Sequence, residues 1–129
     1  MPLNPHVRTA RDFLLLHRED YAAAAGGFSW PELPLYNFAV DWFDGLAEDH
    51  PDQTALWVVD ATAGPEQRDA DGHDPETKVT FAELAARSVA VAHFLADLGL
   101  RRGDRMLLVV GNCVPLWEVM LGAIRLGAV

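Results

Sequence analysis

Any chemistry in this chain would have to start from a thiol, from scattered imidazoles or from a run of carboxylates. Cys113 is the only cysteine, and it sits between the apolar run 105–110 and a helix signal at Pro115. A strand-to-helix turn can lower a thiol's pKa and present it as a nucleophile. A nucleophile elbow, however, carries glycine two residues after its nucleophile. Gly111-Asn112-Cys113-Val114-Pro115 has proline there, so a buried, inert thiol is the plainer expectation. His6, His17, His50, His73 and His93 include no i, i+4 pair of the kind that binds zinc from one helix. The lone cysteine completes no Cys/His cluster.

Asp69, Asp71 and Asp74 lie close together, but a calcium loop counted from Asp69 would need glycine at its sixth position and glutamate at its twelfth. Those positions hold Asp74 and Thr80, so a solvated acidic loop is expected instead. Gly99, Gly103 and Gly111 do not fall in the G-x-G-x-x-G order of a dinucleotide site, and no G-x-x-x-x-G-K-[ST] occurs. Asn112, after the apolar run, could face a ligand crevice or cap a helix. Trp30, Trp42, Trp57 and Trp117 read as core anchors rather than a binding surface. The residues thus nominate no catalytic, cofactor-binding or metal-binding position.

The elements that would carry these residues can be read from period and punctuation. Asn4-Pro5 opens a helix expected to run through Leu14 to about Ala25, and Gly26-Gly27 ends it. Residues 28–34 form a proline-stiffened connector. Asn37 caps a second helix with Val40, Phe43, Leu46 and Ala47 at helical spacing, closed by His50-Pro51. Residues 54–60 read as a strand, 61–76 as an exposed hairpin loop and Lys78-Val79 as the return strand. Thr80 and Glu83 form a capping box. Phe81, Leu84, Ser88, Val91, Leu95 and Leu98 then trace one helical face, which Gly99 terminates. After the turn at 101–104, residues 105–110 read as a strand buried on both faces of a parallel sheet. The final helix carries Leu116, Met120 and Ile124 on one face and ends at Gly127.

Composition narrows the class. The chain has 129 residues, half of them hydrophobic, and a formal net charge of −9. That length suits one ordinary domain with a core. No basic footprint for nucleic acid is visible, and no apolar run approaches the ~20 residues of a membrane span. A lone cysteine and the absence of a basic-then-apolar leader lead to the expectation of a cytoplasmic protein.

Several of these segments resemble the adenylate-forming enzymes. Lys78-Val79-Thr80-Phe81-Ala82-Glu83-Leu84 is similar to that family's early "T-Y/F-x-E-L" motif. Leu98-Gly99-Leu100-Arg101-Arg102-Gly103-Asp104-Arg105-Met106 resembles its "L-G-x-x-x-G-D-R-V" turn. Leu121-Gly122-Ala123-Ile124-Arg125-Leu126-Gly127-Ala128-Val129 resembles its "L-G-x-x-x-x-G-A-V" segment. Tyr36 to Asp44 resembles the entry of the acyl-CoA synthetase branch, in its acetyl- and medium-chain-like members. The resemblance implies a reaction in two steps. A carboxylic acid attacks the α-phosphate of ATP to give acyl-AMP and pyrophosphate, with Mg2+, and coenzyme A thiol then displaces AMP.

The expected fold class is therefore α/β, the incomplete N-terminal portion of the adenylate-forming large domain. Residues 1–36 would be an N-terminal helix and connector, and 37–129 the start of the AMP-binding domain, stopping before its phosphate loop. No catalytic residue of the family falls on a position here, and Lys78 is not the family's lid lysine. ATP, Mg2+ and coenzyme A are implied for a full-length member and none for this piece, which is expected to be inactive alone and to self-associate through exposed apolar surface. The alternatives are a stand-alone α/β binding or interaction module and, last, a thiol hydrolase on Cys113.

Overall fold

The computed structural model describes residues 3–68, 70 and 75–129. Asn4 starts α1 (Pro5–Leu16) as expected, its side-chain oxygen accepting the backbone N–H groups of His6 and Val7 at 3.1 and 3.3 Å. The helix does not continue to Ala25. It breaks after Leu16, and Asp20 opens α2 (Tyr21–Gly27) by accepting the Ala23 N–H at 2.9 Å. An aspartate that bonds the backbone ahead of it competes with helix continuation, which places a second cap inside the expected run.

Asn37 is the N-cap of the next element, accepting from Ala39 and Val40. That element opens as a π-helix, Phe38–Phe43, and passes directly into α3 (Asp44–Asp49). The wide turn is closed by the Asp44 N–H on the Ala39 carbonyl, an i to i−5 bond. It buries Ala39 and Phe43, and the Asp41 carbonyl accepts the Asn4 N–H at 3.0 Å, docking the N-terminal segment here.

β1 (Thr54–Val59) and β2 (Glu76–Thr80) pair antiparallel, with Leu56 opposite Val79 and an irregularity between Thr54 and Leu56. The loop between them holds a 3-10 turn at Pro65–Gln67. Asp69, Asp71, His73 and Asp74 lie outside the described residues. Thr80 and Glu83 form the expected capping box at the start of α4 (Phe81–Asp97): the Glu83 N–H donates to Thr80 Oγ1 at 3.2 Å, and the Thr80 N–H donates to Glu83 Oε2 at 2.9 Å. At the other end Gly99 adopts φ +99°, the Gly99 N–H bonds the Ala96 carbonyl and the Leu100 N–H bonds the Leu95 carbonyl. This paired closure needs the left-handed half of backbone space, which glycine enters without strain.

Residues 105–110 are a correction to the sequence reading. They form no strand, and Leu107 and Val109 are 90% and 84% exposed. A strand is a property of a pair, and this segment finds a partner only at its start. The Val129 N–H donates to the Asp104 carbonyl at 2.8 Å, and the Met106 N–H donates to the Val129 carbonyl at 2.9 Å. One residue thus bonds to both sides of Arg105, the pattern of a single parallel rung. The expected parallel direction is present without a ladder behind it. α5 (Val114–Leu126) makes the crossover between the two ends of that rung.

Ala39, Phe43, Val79, Leu84 and Leu121 form the core cluster, joining the π-helix, β2, α4 and α5. α4 and α5 approach closely at Gly122, where an added Cβ would lie 2.9 Å from Val91 Cγ1 and 3.1 Å from both the Ala92 nitrogen and the Ser88 carbonyl. The inward face of α4 holds Leu84, Ser88 and Ala92, whereas Leu98, expected on that face, is exposed beyond the last turn. The tryptophans are a second correction. Trp30, Trp57 and Trp117 are exposed, and only Trp42 is half-buried. Trp57 finds its partners on the surface, its indole N–H donating to Glu76 Oε2 at 2.7 Å with the Lys78 ammonium 4.2 Å from the ring centre.

Candidate functional site

Cys113 occupies the N-cap position of α5, half-buried, and its side chain makes no capping bond. Asn112, expected either to cap or to face a crevice, is exposed one residue earlier. His6, His50 and His93 are exposed, and His17 rests against the Phe13 ring at 4.6 Å. Among the described residues no three His, Cys, Asp or Glu side chains gather closely enough to hold a metal ion. The structure brings none of these residues together.

The densest polar arrangement centres instead on Arg125, which the sequence reading passed over. Its Nη1 and Nη2 donate to the two carboxylate oxygens of Asp44 at 2.7 Å each, and Nη2 also reaches Ser88 Oγ at 3.1 Å. Ser88 is fully buried and donates to the Ala85 carbonyl at 2.7 Å. Asn37 works from the other side. Its amide nitrogen donates to the Ile124 and Arg125 carbonyls at 2.6 and 3.3 Å while its oxygen caps the π-helix. The last turn of α5 is thereby tied to α3, to α4 and to the π-helix. A guanidinium fixed on both faces of a carboxylate is a lock, and neither group is left to bind phosphate or transfer a proton. The available signal was a cation in the final turn of a helix, where the helix dipole favours it.

Beside this lock a hollow of about 440 Å³ is bordered by Tyr36, Asp41, Arg102 and Gly127. Partial burial, and secondarily the charge of Asp41, hold the Tyr36 phenol above its usual pKa. The largest cavity, about 550 Å³, lies elsewhere, between α1 and the connector, with Leu14, Trp30, Leu33, Tyr36 and Trp42 on its walls. Arg11 is the charged side chain there. It already donates twice to Asp12 Oδ1, at 2.8 and 2.6 Å, and lies 5.3 Å from the Trp42 ring centre. Such walls do not fit a triphosphate, which needs several converging donors.

An antiparallel hairpin leads through a doubly capped helix and a tight turn into one parallel rung, and this makes the chain α/β. Asp44, Ser88, Arg125 and most of the core lie within residues 43–129, which match the family described as AMP-binding enzyme, and the chain belongs to that family. It is 30% identical over 100 residues, 73% of its length, to the human acyl-coenzyme A synthetase ACSM4, mitochondrial. Identity is again 30% over 105 residues, 77% of the chain, to the mouse acyl-coenzyme A synthetase ACSM5, mitochondrial. A shorter match, 36% over 59 residues and 46% of the chain, is to acetoacetyl-CoA synthetase of Xenopus tropicalis. The chain covers 15%, 16% and 9% of these relatives' lengths. Among the described residues no helix is long and apolar enough to cross a membrane.

Proposed function

We propose that this chain is an architectural part of an adenylate-forming acid–thiol ligase of the acyl-CoA synthetase kind, and that alone it activates no acid. One observation carries the reading. The residues inside the family match that can be given a role are caps, turns, close-packing positions and the Arg125–Asp44 lock, all of them structural. The acid, ATP, Mg2+ and coenzyme A belong to the whole enzyme. The described residues do not fit a nucleotide or a magnesium ion, so no step of that reaction is assigned to them. What these residues do is hold α3, α4 and α5 in fixed register, on which a nucleotide site elsewhere would depend.

The division at 36/37 accompanies this reading, with residues 3–36 docked onto the family unit through the Asn4–Asp41 bond and the Arg8–Asp49 ion pair at 3.1 Å. A cytoplasmic location is supported by the acidic composition and the single cysteine. The mitochondrial names of two relatives make import the competing outcome for a tagged chain in cells. A stand-alone interaction module is the second reading, favoured by a core that closes with the chain's own residues. Calorimetric titration of Mg·ATP into the chain tests the main proposal. It should give no saturable heat, and stoichiometric, saturable binding would overturn it.

A further inference from the structure

We infer that the apolar face built by α1 and the connector 28–36 is a two-fold interface with a second copy of this chain, each Trp30 entering the other copy's cavity. Trp30 is 82% exposed, yet it is not a loose side chain. Its ring makes an edge contact with Phe28, centroids 5.1 Å apart at 81°, and Pro31 restricts the backbone of Trp30 to extended conformations. A preorganised, protruding indole loses little freedom on docking.

This knob stands at the rim of the 550 Å³ cavity walled by Leu14, Leu33, Tyr36 and Trp42. Knob and cavity on one face make that face self-complementary. A two-fold axis then uses both twice and leaves nothing open for further growth. Tryptophan, tyrosine and arginine, all present here, are the types that dominate the energetics of protein interfaces.

The area is sufficient. Leu14, Leu15, Trp30 and Tyr36 are 40%, 55%, 82% and 41% exposed. They offer roughly 450 Å² on the surface areas such side chains carry. Leu16, Tyr21 and Leu35, their neighbours along the chain, are 78%, 86% and 71% exposed. With them the apolar surface reaches roughly 900 Å², against about 800 Å² per partner in a stable interface and about 300–600 Å² for the largest patch on an ordinary monomer. Charge does not oppose the contact. The arginines of α1 and the following turn are paired within the chain: Arg8 with Asp49, Arg11 with Asp12 and Arg18 with Glu19. Leu107 and Val109 form a separate apolar surface on an unpaired extended segment, whose need is a backbone partner rather than a knob.

Sedimentation equilibrium of the 129-residue chain across roughly 1–100 μM tests the inference. The mass should rise toward twice 14.2 kDa, with Trp emission moving to shorter wavelength as it does. Trp30→Ala should weaken association at least tenfold while leaving the melting curve in place, because the side chain is exposed. The Leu107→Ser/Val109→Ser variant should associate like the parent. A monomer at every concentration overturns the inference, as does association that survives Trp30→Ala and disappears in the Leu107/Val109 variant. A monomer that binds 8-anilinonaphthalene-1-sulfonate saturably, lost in Trp30→Ala, would overturn it in favour of a small apolar ligand.

Discussion

Replacing Arg125 with methionine keeps the side chain's stem but removes the guanidinium that ties α5 to α3 and α4. Both bonds to Asp44 are 2.7 Å, and the third, to the buried Ser88 hydroxyl, is 3.1 Å. Removing one partner of a fully buried pair costs about 3–5 kcal/mol, because the other charge stays desolvated. Here the side chains keep 13% and 25% exposure, so the freed Asp44 carboxylate can turn toward water. The expected loss is therefore about 2–3 kcal/mol, from a total that for a domain of this size is on the order of 10 kcal/mol. Urea unfolding followed by far-ultraviolet circular dichroism should show the midpoint falling by about 1–2 M at unchanged slope. Arg125→Lys should recover less than half of the loss, since one ammonium cannot present two parallel donors. With Asp44→Asn as the second change, the double-mutant cycle should give a coupling of at least about 1 kcal/mol. A single-variant loss under about 0.5 kcal/mol, or additive effects, would refute the claim that this pair locks the unit.

Two further expectations concern helix ends. Thr80→Ala should destabilise the chain by about 1 kcal/mol in the same urea assay, since it removes the acceptor for the Glu83 N–H. The Thr80 backbone N–H, then the Thr80 side chain and Arg87, hold the Glu83 carboxyl below its usual pKa. A depressed folded-state pKa gives stabilisation that is present above the usual carboxylate range and lost as pH falls through the folded value. Glu83→Gln should therefore flatten the acid side of the stability–pH curve, and an unchanged curve would count against the capping box. Gly127→Ala should cost about 1–2 kcal/mol by the left-handed penalty, because Gly127 sits at φ +74° and an added Cβ would lie 3.1 Å from Arg102 Cγ.

The features legible in the sequence are those whose cause is local. Asn4, Asn37, the Thr80–Glu83 pair and Gly99 lie within three or four residues of the backbone groups they satisfy, and each does what its spacing implies. The break before α2 was also written locally, in Asp20, but the longer apolar pattern of 7–21 hid it. The lock was not legible, because Arg125 and Asp44 are 81 residues apart and Ser88 is a small residue on an otherwise apolar face. Residues 105–110 misled for the opposite reason. Their composition describes the environment of a sheet interior, whereas the structure supplies a partner only at Arg105, through Val129. The tryptophans misled because size alone suggested burial, while Trp57 is satisfied at the surface by Glu76 and Lys78. The sequence motifs led to the right family even so, because they consist of the same caps and turns that the structure confirms.

The central claim is that the matched residues are architecture and that the chain carries no adenylation chemistry of its own. Acid-dependent exchange of labelled pyrophosphate into ATP, measured on the purified 129-residue chain with Mg2+ and a series of straight-chain carboxylic acids, tests it most directly. The account predicts no exchange above the acid-free blank. Saturable exchange that requires the acid and survives repurification would contradict it.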